Sequence, residues 1–144
     1  MLMLLFYVSS ECLALSCDSI VEVFPQVHLK KGNGLPDYIA GVMNYGGTPV
    51  FVIDTVQLVE NRPASSSLHT RIVLISANIN GSNFLGLICE KAITTMEADL
   101  SQFVSPGFKF KDKPFLGGIY TQGLSSIQYF DTDELVKMLQ GVLS

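Results

Sequence analysis

Two aspartate-threonine pairs are the residues whose type and repetition could do chemistry: Asp54-Thr55, at the end of the run Val50-Phe51-Val52-Ile53, and Asp131-Thr132, after Tyr129-Phe130. Two carboxylates held in contact share one proton, because like charges that close cannot both ionise, and this is the working device of an aspartic-protease-like hydrolase. Such a dyad needs a sharp turn directly after each Asp-Thr, which glycine supplies; Val56 and Asp133 stand there instead. The same residues make good helix starts. Aspartate is a preferred N-cap, and Gln57 and Glu134 stand three residues on, at the spacing of a capping box. A cap of this kind typically contributes about 1 kcal/mol. The sequence therefore assigns both aspartates to capping, with the hydrolase as the alternative that a distance decides.

No other constellation suggests catalysis, a metal or a cofactor. His28 and His69 sit in loop-like sequence without Cys, Asp or Glu at ligand spacing. Cys12, Cys17 and Cys89 form no Cys-x-x-Cys and fall within apolar strands, where thiols pack as small hydrophobes and imply a reducing cytoplasm rather than a disulfide framework. Asn33-Gly34 and Gly46-Gly47 lack the Lys-Ser or Lys-Thr of a phosphate loop. The expectation is a chain that is not an enzyme.

The 144 residues, 48% of them apolar and 15% charged, suffice for one core-bearing domain. Nine basic against thirteen acidic residues argue against a nucleic-acid surface, and the basic groupings Lys30-Lys31 and Lys109 to Lys113 are short. The opening MLMLLFYV is broken by Ser9, Ser10 and Glu11 before a membrane span could form, and reads as a buried strand. The small charged fraction leaves apolar strand faces exposed, so a protein-binding surface is the default.

The elements that must position these residues are short strands. Residues 2 to 8 and 12 to 17 read as a hairpin, and SIVEVFP as a further strand ended by Pro25. Gly46-Gly47, between two apolar runs, signals a hairpin turn with positive φ. RIVLISANI and NFLGLICE form another hairpin through Asn80-Gly81-Ser82. Residues 97 to 115 read as a long crossover, and Leu135, Met138, Leu139, Val142 and Leu143 mark an amphipathic closing helix. The pattern also repeats. Asp54-Thr55-x-x-Leu58-Val59 matches Asp131-Thr132-x-x-Leu135-Val136, each preceded by a glycine hairpin, Gly41-Val42-Met43 and Gly117-Gly118-Ile119. Leu13-x-Leu15-x-Cys17-Asp18-x-Ile20-Val21 likewise matches Leu85-x-Leu87-x-Cys89-Glu90-x-Ala92-Ile93. Two matches in the same order indicate a duplicated unit of strand, strand, hairpin and short helix.

In this order and spacing the motifs resemble the CheW family of chemotaxis coupling proteins over nearly the whole chain. The resemblance runs through the opening hairpin, Ile20-Val21-Glu22-Val23, Pro36, Gly41-Val42-Met43-Asn44, Val50 to Asp54, Phe84 to Glu90 and the Gly117-Gly118 hairpin. It implies an all-β fold of two intertwined SH3-like five-stranded barrels with short helices and a C-terminal helix. On the sequence reading the first barrel takes residues 12–65 and the second 66–130, with strands 1–16 and the helix 132–143 packing across them.

The resemblance further implies a cytoplasmic, non-enzymatic adaptor with no cofactor and no membrane insertion. Its partners would be the regulatory domain of a CheA-type histidine kinase and the tip of methyl-accepting chemoreceptors. Carried over by position, the partner-contact residues are Ile20, Val21, Glu22 and Val23 on one strand, Gly41, Asn44, Tyr45 and Gly46 on the glycine hairpin, and Glu90 where the family has aspartate. Gly46 stands where the family has an arginine, and Phe51 where it has a proline. These departures leave a divergent binding barrel, one that does not couple receptor to kinase, as a second alternative.

Overall fold

The computed structural model describes residues 1–108, 110 and 112–143, with the backbone alone for Ala92 and Ile93. Lys109 and Lys111 of the second basic grouping lie outside the described residues. The chain runs β1 (Leu2–Val8), β2 (Glu11–Ser16), β3 (Ile20–Pro25), β4 (Ile39–Tyr45), β5 (Thr48–Asp54) and α1 (Thr55–Glu60). It continues through β6 (Arg71–Ile79), β7 (Ser82–Cys89), β8 (Lys91–Glu97), β9 (Leu116–Gln122), β10 (Ser125–Phe130) and α2 (Thr132–Leu143).

These strands build two five-stranded sheets, ordered β3-β6-β7-β5-β4 and β8-β1-β2-β10-β9. They are the two intertwined SH3-like barrels, called here the first and the second. The division expected near residue 65 is not where the sheets divide. The hairpin β6-β7 belongs to the first barrel, and β1-β2 is integral to the second rather than laid across both. Each barrel thus takes a hairpin from the other half of the sequence. Pairing follows one plan: β5 runs parallel to β7 as β10 does to β2, and the remaining neighbours are antiparallel.

The plan explains why the central strands read as unbroken apolar runs. A strand packed on one face alternates; one packed on both does not. In β1, Met3 and Leu5 point into the second barrel while Phe6 and Val8 point into a core shared by both sheets. Ile72 and Leu74 of β6 likewise line the first barrel, with Val73 and Ile75 in the shared core. That shared core also takes Leu13, Leu15, Ile53, Leu85, Leu87, Phe115 and Phe130.

Turns and caps follow from local chemistry. Gly46 and Gly47 both have positive φ, 57° and 90°, as a two-residue hairpin turn requires. The helix α1 follows β5 and packs against β7 of its own barrel and β1 of the other, and α2 follows β10 and packs against β6 of the first barrel. On α2, Leu135 and Leu139 are fully buried with Met138 and Leu143 beside them; Val142, expected on that face, is 47% exposed, and Val136 packs instead.

The duplication is visible in bonds. The N–H of Asp54 donates to the carbonyl of Tyr38 (2.8 Å), and the N–H of Asp131 to that of Phe115 (2.7 Å). Lys30 bridges Val42 of β4, and Val104 bridges Ile119 of β9. These pairs correct the sequence alignment by one residue, because they set Gly41 against Gly118 rather than Gly117.

Candidate partner-binding site

Each candidate catalytic aspartate is engaged at the start of its own helix. Asp54 is 8% exposed; its Oδ1 accepts from the N–H groups of Val56 (3.0 Å) and Gln57 (3.1 Å), and its Oδ2 from Ala64 (2.9 Å). The Oδ1 of Asp131 accepts from the N–H of Glu134 (3.2 Å). With both oxygens of Asp54 committed to backbone donors, and no hydrogen bond joining the two carboxylates among the described residues, the shared-proton geometry is not formed. His28 and His69 are exposed, and no group of three metal-ligating side chains occurs among the described residues. Cys89 is buried, and burial, reinforced by the charge of Asp54, pushes its thiol up to about 12, which keeps it neutral. Cys12 and Cys17 are half-buried, where the sequence reading placed all three thiols inside.

The partner-contact candidates fall in three places. The first is the edge strand β3, which among the described residues pairs with β6 alone. A register shift between Ile20 and Glu22 places Val21 at an irregularity, and Val21 and Val23 are each 44% exposed. Glu22 is exposed and Ile20 half-buried. A strand edge with outward valines and a free ladder side is a surface that another chain can cover.

The second place is the tip of the β4-β5 hairpin, which meets β3 at the mouth of the first barrel. The hydroxyl of Tyr45 donates to Glu22 Oε1 at 2.9 Å. The Tyr45 ring stacks on Phe24 (centroids 6.5 Å apart, planes 7° apart) and meets Phe84 edge-on at 5.3 Å. Asn44 Oδ1 accepts from the N–H of Gly47 at 2.7 Å, which fixes the turn, and an added Cβ at Gly46 would meet nothing within 4 Å. Asn44, Tyr45 and Gly46 therefore lie together beside Glu22. Gly41 does not join them. It is buried further down β4, where an added Cβ would lie 2.8 Å from the Lys30 carbonyl oxygen, so its role is to let the crossover pass.

The third place is Glu90, between β7 and β8. Its Oε2 accepts from the N–H of Ser65 (2.6 Å) and from Arg62 Nη1 (3.3 Å). The Ser65 bond, and then the Arg62 guanidinium, hold its carboxyl below the usual range. Arg62 also reaches Glu60 (3.2 Å) and Ser9 (2.8 Å), so α1, the β1-β2 turn and the crossover at Glu90 are tied together. Glu90 is thus a junction between barrels. The sequence reading did not single out Arg62 or Phe24, and it named Phe84 only within the family motif. The signal was aromatic residues inside candidate strands, which without pairing partners is indistinguishable from core.

Two grooves lie at equivalent places, each between a crossover and the start of a helix. The first, of about 280 Å³, is lined by Lys31, Leu35, Pro36, Asp54 and Gln57; the second, of about 510 Å³, by Phe103, Pro106, Phe108, Phe110, Asp131 and Glu134.

A family model described as the CheW-like domain matches residues 2–140. No curated protein matches the chain. Among solved structures, the chain is similar to the crystal structure of the scaffolding protein TtCheW from Thermoanaerobacter tengcongensis, with 23% identity and a TM-score of 0.75 over 89% of this chain and 86% of that one. At that identity the likeness carries the fold.

Proposed function

The chain belongs to the CheW-like domain family, and from that premise we propose that it is a non-enzymatic, cytoplasmic adaptor holding a CheA-type histidine kinase to chemoreceptor tips in a chemosensory array. The observation that carries the reading is the exposed edge strand β3, with Val21 and Val23 outward and Glu22 anchored beside them. The kinase's regulatory domain docks on this strand, and the receptor tip contacts the β4-β5 turn around Asn44 to Gly46. A surface of this form needs no cofactor, since an apolar strand face and fixed polar groups suffice for recognition. Among the described residues no helix is long and apolar enough to cross a membrane.

Calorimetry of the chain against the cognate kinase's regulatory domain tests the reading. Binding at micromolar concentration, lost on Val23→Asp with folding unchanged, supports it; no binding at high micromolar concentration sinks it. A second reading, a barrel that binds the kinase without coupling it to the receptor, draws on Gly46, which gives the turn no side chain. Receptor-dependent kinase stimulation with the wild-type chain and with Gly46→Arg separates the two. Stimulation only in the variant favours the second.

A further inference from the structure

Among the described residues, the one side-chain hydrogen bond between the terminal strands of the first barrel runs from Tyr45 on β4 to Glu22 on β3. The phenol ring packs between Phe24 on one face and the edge contact with Phe84. Its bond to Glu22 raises its pKa, so it stays protonated and remains a donor. Glu22 itself is exposed, and its Oε2 has no partner among the described residues. On either side stand the outward valines Val21 and Val23.

A carboxylate with one oxygen occupied by a fixed donor presents the other in one direction. That arrangement suits a single N–H from a lysine, or one arm of an arginine, better than the two parallel bonds of a guanidinium fork. An ion pair on so open a strand is weak if both partners must first be ordered, and stronger if one is already in place. We infer that Tyr45 is a positioning residue which fixes the Glu22 carboxylate so that Oε2 meets a basic side chain of the protein docked on β3. This rests on β3 being the partner-binding strand. The turn that holds Tyr45 is closed by Gly46 and Gly47, and among the described residues no other side chain hydrogen-bonds Glu22.

The test measures affinity for the kinase regulatory domain by calorimetry at low and high salt. Tyr45→Phe keeps the ring packing and removes the donor; it weakens binding about threefold to tenfold, with an unchanged melting temperature. Glu22→Gln weakens binding at least as much and flattens its salt dependence. Adding Tyr45→Phe to Glu22→Gln changes affinity by less than about twofold, since the phenol acts through the carboxylate. The Glu22 side-chain carbonyl ¹³C resonance of the wild type moves on complex formation, and in Tyr45→Phe it stands at a different position from the wild type, a response that packing alone does not produce.

If Val23→Asp abolishes binding while Tyr45→Phe binds as the wild type, or if the two losses simply multiply, the positioning role is overturned and β3 remains the interface. Binding that survives both Val23→Asp and Tyr45→Phe removes β3 as the interface and this inference with it, whereas a wild type that does not bind removes the adaptor reading as well.

Discussion

The crossover of the first barrel, residues 26–38, and that of the second, residues 98–115, make the same backbone contacts and differ in their length and in the side chains they carry. In the first, Lys30 exchanges backbone bonds with Val42 at 2.9 and 2.8 Å, and Leu35 and Tyr38 then fold onto the shared core. In the second, Val104 exchanges the same bonds with Ile119 at 2.9 and 2.8 Å, Phe103 fills the barrel interior, and Phe108 is left 60% exposed beside the larger groove. The caps differ as well. Asp54 takes three backbone donors and is buried; Asp131 takes one and is half-buried. Where backbone bonds close a barrel the duplicated plan is kept. Where only side chains meet solvent, the halves have diverged.

The sharpest way to break this comparison is at the glycines beneath the two crossovers. An added Cβ at Gly118 would lie 2.5 Å from the Phe103 carbonyl oxygen, and at Gly41 2.8 Å from that of Lys30. Both obstacles are backbone, and Gly41 in addition has a φ of 154°, where an L side chain is strained, so Gly41→Ala and Gly118→Ala are each expected to cost about 3 kcal/mol in urea unfolding. A loss below about 1 kcal/mol at Gly118 alone would mean that the longer crossover yields.

Next are the caps. Asp54→Ala leaves three backbone N–H groups without their acceptor, one buried and two part-buried, and should cost about 2 kcal/mol, against about 1 kcal/mol for Asp131→Ala, by the same measurement.

A third contrast lies at the junctions between sheets, Glu90 in one half and Asp18 in the other. The folded-state pKa of Glu90 is lowered, chiefly by the Ser65 N–H. Its contribution is therefore complete above the ordinary value of 4.5 and lost as pH falls through the lower folded value. Glu90→Gln should flatten stability over that acid window. Asp18 is exposed, and Asp18→Asn should change stability at neutral pH by less than about 0.5 kcal/mol.

The smallest effect is at the matched cysteines: at about pH 8 a thiol reagent should modify half-buried Cys17 in the folded chain and leave Cys89 unreacted until unfolding. Equal rates would show that the β7-β8 junction opens.

Much of this was legible in the sequence because it depends on neighbours along the chain. Positive φ at Gly46-Gly47, the turn at Asn80-Gly81, the aspartate caps and the buried strand in MLMLLFYV are all local chemistry. The two motif matches also held in register for Leu13 and Leu85: parallel pairing sets Ala14 beside Tyr129 and Gly86 beside Val52. The glycine hairpins were set one residue out of step, although Gly41 and Gly118 stand at the same distance before Asp54 and Asp131; in the structure these are the two glycines that Lys30 and Phe103 pass over. Of the candidate contacts, Glu22 and Tyr45 are brought together, Gly41 is buried, and Glu90 is turned toward Arg62. Hydrogen bonds between residues far apart in the chain leave no periodicity to read.

The sequence by itself determined the all-β character, the duplication, the hairpin turns and the role of the aspartates, since each rests on backbone preferences spanning a few residues. The exchange of hairpins between halves, the shared core and the Tyr45-Glu22 contact were decided by the tertiary structure. Strand edges are chemically alike, and which edges meet depends on burying both faces of the central strands at once. That condition belongs to the whole chain.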